Sequence, residues 1–167
     1  LLARFFPEDT PFEGRRRRPP PDPANALLSW IYTLVGGEVR GMLAAQGLDP
    51  CLGVLHSIEY GRASLALDLL EPLRPALCDY LALRLFRLKA LTAEHFERDE
   101  DTGGMRLGSE GMRRFFKHYE DRMTSADVNV EHLEGPTSFR DLIRGMAYDF
   151  ARSVADGVPF SPPVLEG

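Results

Sequence analysis

The chain has 167 residues, 44% of them hydrophobic, two cysteines and a formal net charge of −5. That is enough apolar material for a good core without staples, and Cys51 and Cys78 lack a CxxC spacing, which argues against a disulfide framework or a zinc site. No apolar run reaches the roughly 18 residues of a membrane span and the opening residues do not read as a secretory leader, so a cytoplasmic location is expected. Residues 1–91 hold 11 Lys+Arg against 10 Asp+Glu, whereas residues 92–167 hold 9 against 15, which excludes a wholly basic nucleic-acid coat and leaves the first half for an anionic ligand.

Leu1 to Phe6 reads as the last turn of an amphipathic helix that begins upstream. Residues 7–22, with Pro7, Pro11, Arg15, Arg16, Arg17, Arg18 and Pro19 to Pro21, read as an extended strap on the surface. Asp22-Pro23 is an N-cap and first-turn proline, and apolar residues at helical spacing predict one long helix from Ala24 to Gln46, capped at Gly47 and at risk of bending at Gly36-Gly37. A turn over 47–50 leads to a short apolar segment, Cys51 to Leu55, that delivers His56, and then to a polar loop, 57–62. The most apolar helix runs from Ala63 to about Leu91, interrupted at Pro72 and Pro75, with a kink expected at Leu70-Glu71. Residues 94–108 predict a β-hairpin around Gly103-Gly104. Ser109 is expected to cap one further helix, Thr137 or Ser138 another, and the tail from Gly157 to be irregular. The fold class is therefore mainly α: a helical bundle with a small β-hairpin insertion.

His56, Asp68 and Glu71 are the candidate catalytic residues. In an ordinary helical protein they would be a partly exposed histidine and two acids on a solvent face. The flanking Leu65, Ala66, Leu67, Leu69 and Leu70 leave little polar face, however, and a helix would place the acids at i and i+3 together. Charged groups in an apolar setting ask for a partner or a cation, and a mixed imidazole and carboxylate set suits Mg2+ or Mn2+, with positions left for water and phosphate oxygens. Arg62 and Arg74 flank the acids either as salt-bridge partners or as phosphate clamps, and Arg15 to Arg18 form either a solvated strap or a phosphate tether. His95, His118 and His132 have no useful partner spacing. There is no GxSxG elbow, Walker loop or HExxH motif.

Three ordered stretches carry a family resemblance. They are Arg17-Arg18-Pro19-Pro20-Pro21-Asp22-Pro23-Ala24-Asn25-Ala26-Leu27-Leu28-Ser29; Gly47-Leu48-Asp49-Pro50 with Leu52-Gly53 and Leu55-His56; and Gly61-Arg62-Ala63-Ser64-Leu65-Ala66-Leu67-Asp68-Leu69-Leu70-Glu71-Pro72-Leu73-Arg74-Pro75. Together they resemble the CRISPR-associated Cas-one family, the metal-dependent endonuclease and spacer integrase of CRISPR adaptation. Looser similarity extends through Ser138-Phe139-Arg140 and the last helix.

The resemblance implies that His56 and Glu71 are metal ligands and that Asp68 supports the site. A further ligand, a glutamate, is expected a few residues upstream of Leu1, as is the family's N-terminal β-domain, through which it homodimerises. It implies Mg2+ or Mn2+ as cofactor, DNA (protospacer and CRISPR repeat) as substrate, and Cas-two and possibly Cas-four as partners. The expected organisation is an upstream helix end and strap over 1–22, a helical catalytic domain over 23–157 and a tail over 158–167. The competing reading is a helical DNA-binding or assembly domain without catalysis.

Overall fold

The computed structural model describes residues 2–16, 18–57 and 59–165. Five α-helices and one hairpin follow in chain order: α1 Pro23–Ala45, α2 Ser64–Leu70, α3 Tyr80–Arg87, β1 Phe96–Arg98, β2 Met105–Leu107, α4 Ser109–Thr124 and α5 Phe139–Asp156. They divide into two compact units, Leu1–Thr33 with Pro75–Arg122, and Leu34–Arg74 with Met123–Gly167. The mainly helical class and the hairpin are as expected.

In the first unit the start of α1 is set by Asp22, whose Oδ1 accepts from the Asn25 N–H at 2.7 Å, with Pro23 filling a position where no donor is needed. Leu27, Leu28 and Ile31 of α1 are fully buried, as are Leu77 and Phe115 of the same unit, while Leu91, and Leu81 and Leu85 of α3, are nearly so. The strap differs from the expected surface ribbon. Phe12 is buried and its ring lies 4.7 Å from that of Phe6, which in turn meets Phe86, and Phe86 stacks on Phe96. Proline denies the strap a hydrogen-bonded ladder, so aromatic burial, a buried amide, the Arg15 contact with Ser29 and one bond from the Met105 N–H to the Pro20 carbonyl at 2.8 Å hold it instead. That amide is Asn25: Nδ2 donates to the Gly14 carbonyl and to Asp22, while Oδ1 accepts from the Arg16 N–H and from Arg15. Residues Leu2–Phe5 form one 3-10 turn.

The hairpin pairs Phe96 with Leu107 and Arg98 with Met105, and turns through Gly103 at φ 68°, a left-handed conformation suited to glycine. Ser109 is the first helical residue of α4 and not its cap; the Met112 N–H reaches the Gly108 carbonyl at 2.8 Å, so Gly108 occupies the cap position. Here α4 packs so closely that a Cβ on Gly111 would sit 2.6 Å from the His95 carbonyl oxygen.

In the second unit α1 continues through Gly36-Gly37 without a break and ends before Gly47, at φ 77°. Val35, Val39, Leu43, Leu73, Met123, Phe139 and Ile143 form the core of this unit. Arg140 of α5 grips both oxygens of Glu38 on α1 at 3.0 and 2.9 Å, and Ser138 caps α5 by accepting from the Asp141 N–H. Among the described residues the tail after Gly157 is irregular except that Leu165 bridges Val130. No helix among the described residues is long and apolar enough to cross a membrane.

Asn25→Ala leaves the Gly14 carbonyl and two strap donors without their partner. It is expected to cost about 1–3 kcal/mol in urea unfolding, with earlier proteolysis of the strap as the local readout.

Candidate metal centre

The apolar run from Ser64 onward begins as α2 and changes geometry where its prolines fall. The α-helix ends at Leu70, a 3-10 turn covers Glu71–Leu73, and a π-type stretch covers Arg74–Asp79 before α3 resumes. Pro72 and Pro75 lack the N–H that an α-ladder needs, so the hydrogen bonding tightens and then widens around them. The change of helix type falls at Leu70-Glu71, where the proline spacing implied an interruption, and Leu70 and Glu71 both keep helical dihedrals. Asp68 therefore sits within a regular helix, while Glu71 opens an irregular turn.

Asp68 is buried, with its side chain 5% accessible. Its Oδ2 accepts from the N–H groups of Val54 at 2.6 Å and Leu55 at 2.9 Å, and its Oδ1 accepts from the His56 N–H at 3.0 Å. The same Oδ1 lies 2.5 Å from His56 Nδ1. Burial alone would raise the carboxyl, but donation from the Leu55 N–H, the His56 ring and the Val54 and His56 N–H groups outweighs it and holds Asp68 below the ordinary aspartate range. Four donors occupy this carboxylate, so it has little left to offer a cation.

The consequence for His56 follows from tautomer chemistry. A proton between Nδ1 and Asp68, carried by the ring nitrogen, leaves the Nε2 lone pair of the neutral imidazole for a cation. The side chain remains 35% accessible. An aspartate behind a histidine in this way fixes the ring and raises its basicity as a ligand.

Gly53 makes the arrangement possible. A Cβ there would fall 2.6 Å from the His56 carbonyl oxygen, 2.6 Å from Ser64 Cβ and 3.2 Å from Asp68 Oδ2. Such spacing lets the loop close onto α2, and the Leu65 N–H completes the closure by bonding to the Pro50 carbonyl at 2.9 Å. The loop is not the apolar setting that its composition suggested: Leu52, Val54 and Leu55 are 56%, 70% and 79% exposed. Backbone donors must point inward to reach Asp68, and the side chains are turned to solvent as a result.

Glu71 is exposed, and its Oε1 meets Arg74 Nη1 at 2.6 Å. Arg62 serves the loop itself, donating to the Ser57 carbonyl and to Ser64 while pairing with Glu59 at 2.8 Å. Arg15 is turned onto α1, where it donates to Asn25 and Ser29 and lies over the Tyr32 ring. Arg16 and Arg18 are exposed, and Arg17 lies outside the described residues. Of the six arginines proposed for phosphate, four thus have partners within the fold, Arg16 through an exposed pair with Glu13 at 3.8 Å.

No group of three or more His, Cys, Asp or Glu side chains is gathered for a metal ion among the described residues. The donors that this region offers are His56 Nε2 and the Glu71 carboxylate, a mixed nitrogen and oxygen set that fits Mg2+ or Mn2+ completed by other oxygen ligands. The residue composition pointed to His56, Asp68 and Glu71. It did not reveal Gly53 as the spacer or Asp68 as the loop anchor; the nearest signal was a glycine three residues before the histidine.

The chain is thus a mainly helical domain with a small hairpin, in which an aspartate-backed histidine lies on a loop and a carboxylate lies at a proline-bearing turn. The model of the family described as CRISPR associated protein Cas1 matches residues 1–121, and the chain belongs to that family. CRISPR-associated endonuclease Cas1 3 of Thermus thermophilus is 37% identical over 164 residues, covering 97% of this chain and 48% of that protein. CRISPR-associated endonuclease Cas1 2 of Rhodospirillum rubrum is 46% identical over 121 residues, covering 72% and 35%. A Cas4/Cas1 fusion of Geobacter sulfurreducens is 36% identical over 151 residues, covering 90% and 26%. Among solved structures, a Cas1 protein from Thermotoga maritima has a TM-score of 0.77 at 30% identity, covering 92% of this chain and 47% of that one. A partial Cas6-RT-Cas1–Cas2 complex gives 0.77 at 25%, covering 94% and 46%. The chain spans about half the length, or less, of the curated relatives it matches.

Asp68→Asn turns an amide NH2 toward donors and is expected to cost about 1–3 kcal/mol in urea unfolding, with faster hydrogen exchange at the Val54, Leu55 and His56 amides. Gly53→Ala should speed the same amides although the carboxylate is intact. Unchanged exchange in both variants would refute Asp68 as the anchor of this loop.

Proposed function

We propose that this chain is the metal-binding helical lobe of a DNA endonuclease and integrase of CRISPR adaptation, which inserts spacer DNA into a CRISPR array by transesterification. The observation that carries this reading is the 2.5 Å contact of His56 Nδ1 with a buried Asp68 that four donors already occupy. Membership of the Cas1 family supports it.

His56 and Glu71 would hold a Mg2+ or Mn2+ ion, which would supply Lewis-acid polarisation of the scissile phosphate. Asp68 keeps the His56 ring in one tautomer and one orientation, so it is a positioning residue and not a ligand. Arg74 neutralises Glu71, and its guanidinium fork suits a phosphate oxygen at the same place. In the reaction the 3′-hydroxyl of the incoming DNA attacks phosphorus; the new P–O bond forms as the bond to the departing 3′-oxygen breaks, the attacking hydroxyl gives its proton to solvent and the departing oxygen takes one from solvent to leave as a 3′-hydroxyl. Water as attacking group gives strand cleavage.

The same reading brings Cas2, a second copy of the protein and Cas4 as partners. The Cas1–Cas2 complex and the Cas4/Cas1 fusion described above support the first and the last.

A helical DNA-binding or assembly domain without catalysis is the second reading. It is favoured by the pairing of both acids within the chain, Asp68 with the loop and Glu71 with Arg74. Manganese titration calorimetry and a manganese-dependent cleavage assay on the protein that carries this chain separate the two. His56→Ala is expected to lower cleavage by at least about 100-fold, and Asp68→Asn to weaken Mn2+ binding by about 10–100-fold. Wild-type cleavage by His56→Ala would sink the catalytic reading, and absence of Mn2+ binding would establish the second.

A further inference from the structure

Arg15, Arg62 and Arg74 have partners inside the chain, and a second group of cations faces solvent on α3 and just after it. Residues 75–92 carry Arg84, Arg87 and Lys89 and a single acid, Asp79, whose carboxylate accepts from the Tyr32 hydroxyl. Leu81, Ala82, Leu85 and Phe86 bury one side of α3. Tyr80, Arg84, Arg87 and Leu88 recur at i, i+4, i+7 and i+8, which places them on one stripe, and all four are exposed together with Lys89.

The charge of this stripe is unbalanced. Arg84 has no hydrogen bond or ion pair among the described residues. Arg87 directs Nε and Nη2 to the Phe5 carbonyl at 3.2 and 3.0 Å, which orients the guanidinium without neutralising it. Arg122 lies 5.2 Å over the Tyr80 ring, at the first residue of α3. Tyr80, Leu83, Arg84, Arg87 and Leu88 line a depression of about 420 Å³. Basic residues in a last helical turn are worth about 0.3–1 kcal/mol against the helix dipole, which accounts for cations at this end. It does not account for an aromatic ring 45% exposed and a leucine 61% exposed among them.

We propose that this face of α3 is a sequence-independent contact for the DNA phosphodiester backbone. Arg84, Arg87 and Lys89 meet phosphates, while Tyr80 and Leu88 lie against deoxyribose. A cationic stripe with an aromatic at its edge, in a chain whose net charge is −5, matches the chemistry of backbone binding, where each neutralised phosphate releases counterions. The proposal rests on the reading of the chain as DNA-processing, but not on its metal chemistry.

The test is a fluorescence-anisotropy titration of a labelled DNA duplex of mixed sequence by the protein, in EDTA, at several NaCl concentrations between about 50 and 200 mM. EDTA makes the result independent of whether His56 and Glu71 support cleavage. Arg84→Gln/Lys89→Gln is expected to make the slope of log affinity against log salt less steep by roughly 2, and adding Arg87→Gln by roughly 3. Arg144→Gln and Arg152→Gln, whose arginines pair with Asp141 and Asp156 on α5, are expected to keep the wild-type slope. The double variant spares the Arg87 contact with Phe5, and equal thermal midpoints establish that it folds. A wild-type slope in the folded double variant overturns the proposal and gives the face to solvent or an acidic protein surface; so does absence of duplex binding by the wild-type protein.

Discussion

The closure of the 53–56 loop onto the Asp68 carboxylate is the interaction on which the candidate centre depends. Three consecutive backbone N–H groups and one imidazole converge on two oxygens, and this holds the carboxylate charged despite its burial. A buried aspartate without those donors would be costly, and a loop without that aspartate would leave its own donors unpaired. Each half therefore stabilises the other. The orientation of His56 is a by-product of that mutual satisfaction, which is how a loop side chain reaches the order usually given by a strand or helix.

Proline supplies the second constraint. Pro72 and Pro75 break one apolar run into α, 3-10 and π turns, so Asp68 and Glu71, three residues apart, meet different surroundings. One is enclosed by helix and loop; the other stands exposed beside Arg74. Two acids that composition makes equivalent become an anchor and a candidate ligand. The exposed apolar side chains of the loop have the same origin, because backbone that faces Asp68 must turn Val54 and Leu55 outward.

Electrostatics distributes the arginines in a similar way. Arg15 anchors the strap through Asn25, Arg62 fastens the loop, and Arg140 joins α1 to α5 through Glu38. Guanidinium groups with several donors suit such positions, since one side chain can satisfy several carbonyl and hydroxyl oxygens at once. Arg84 of α3 stands apart, with no hydrogen bond or ion pair among the described residues.

Much of this was legible in the amino-acid order. Helical spacing marked one long helix from Ala24 to Gln46, within one residue of the observed Pro23–Ala45 at each end, Gly47 marked its end, the Gly103-Gly104 pair marked the hairpin, and the stretches around His56 and Asp68 carried the family. These are local signals, set by turn chemistry, propensity and the period of apolar residues. Ser109 misled by one position because a packed helix start at Gly108 and Gly111 outranked the side-chain preference for a cap. The strap misled because proline content describes the backbone and says nothing of where Phe6 and Phe12 can be buried. The residue types fit for a metal were thus readable along the chain. Which oxygen faces which donor, which arginine is already engaged, and which glycine must have no Cβ were decided by segments distant in sequence meeting in space, where burial and hydrogen-bond satisfaction apply to the whole neighbourhood at once.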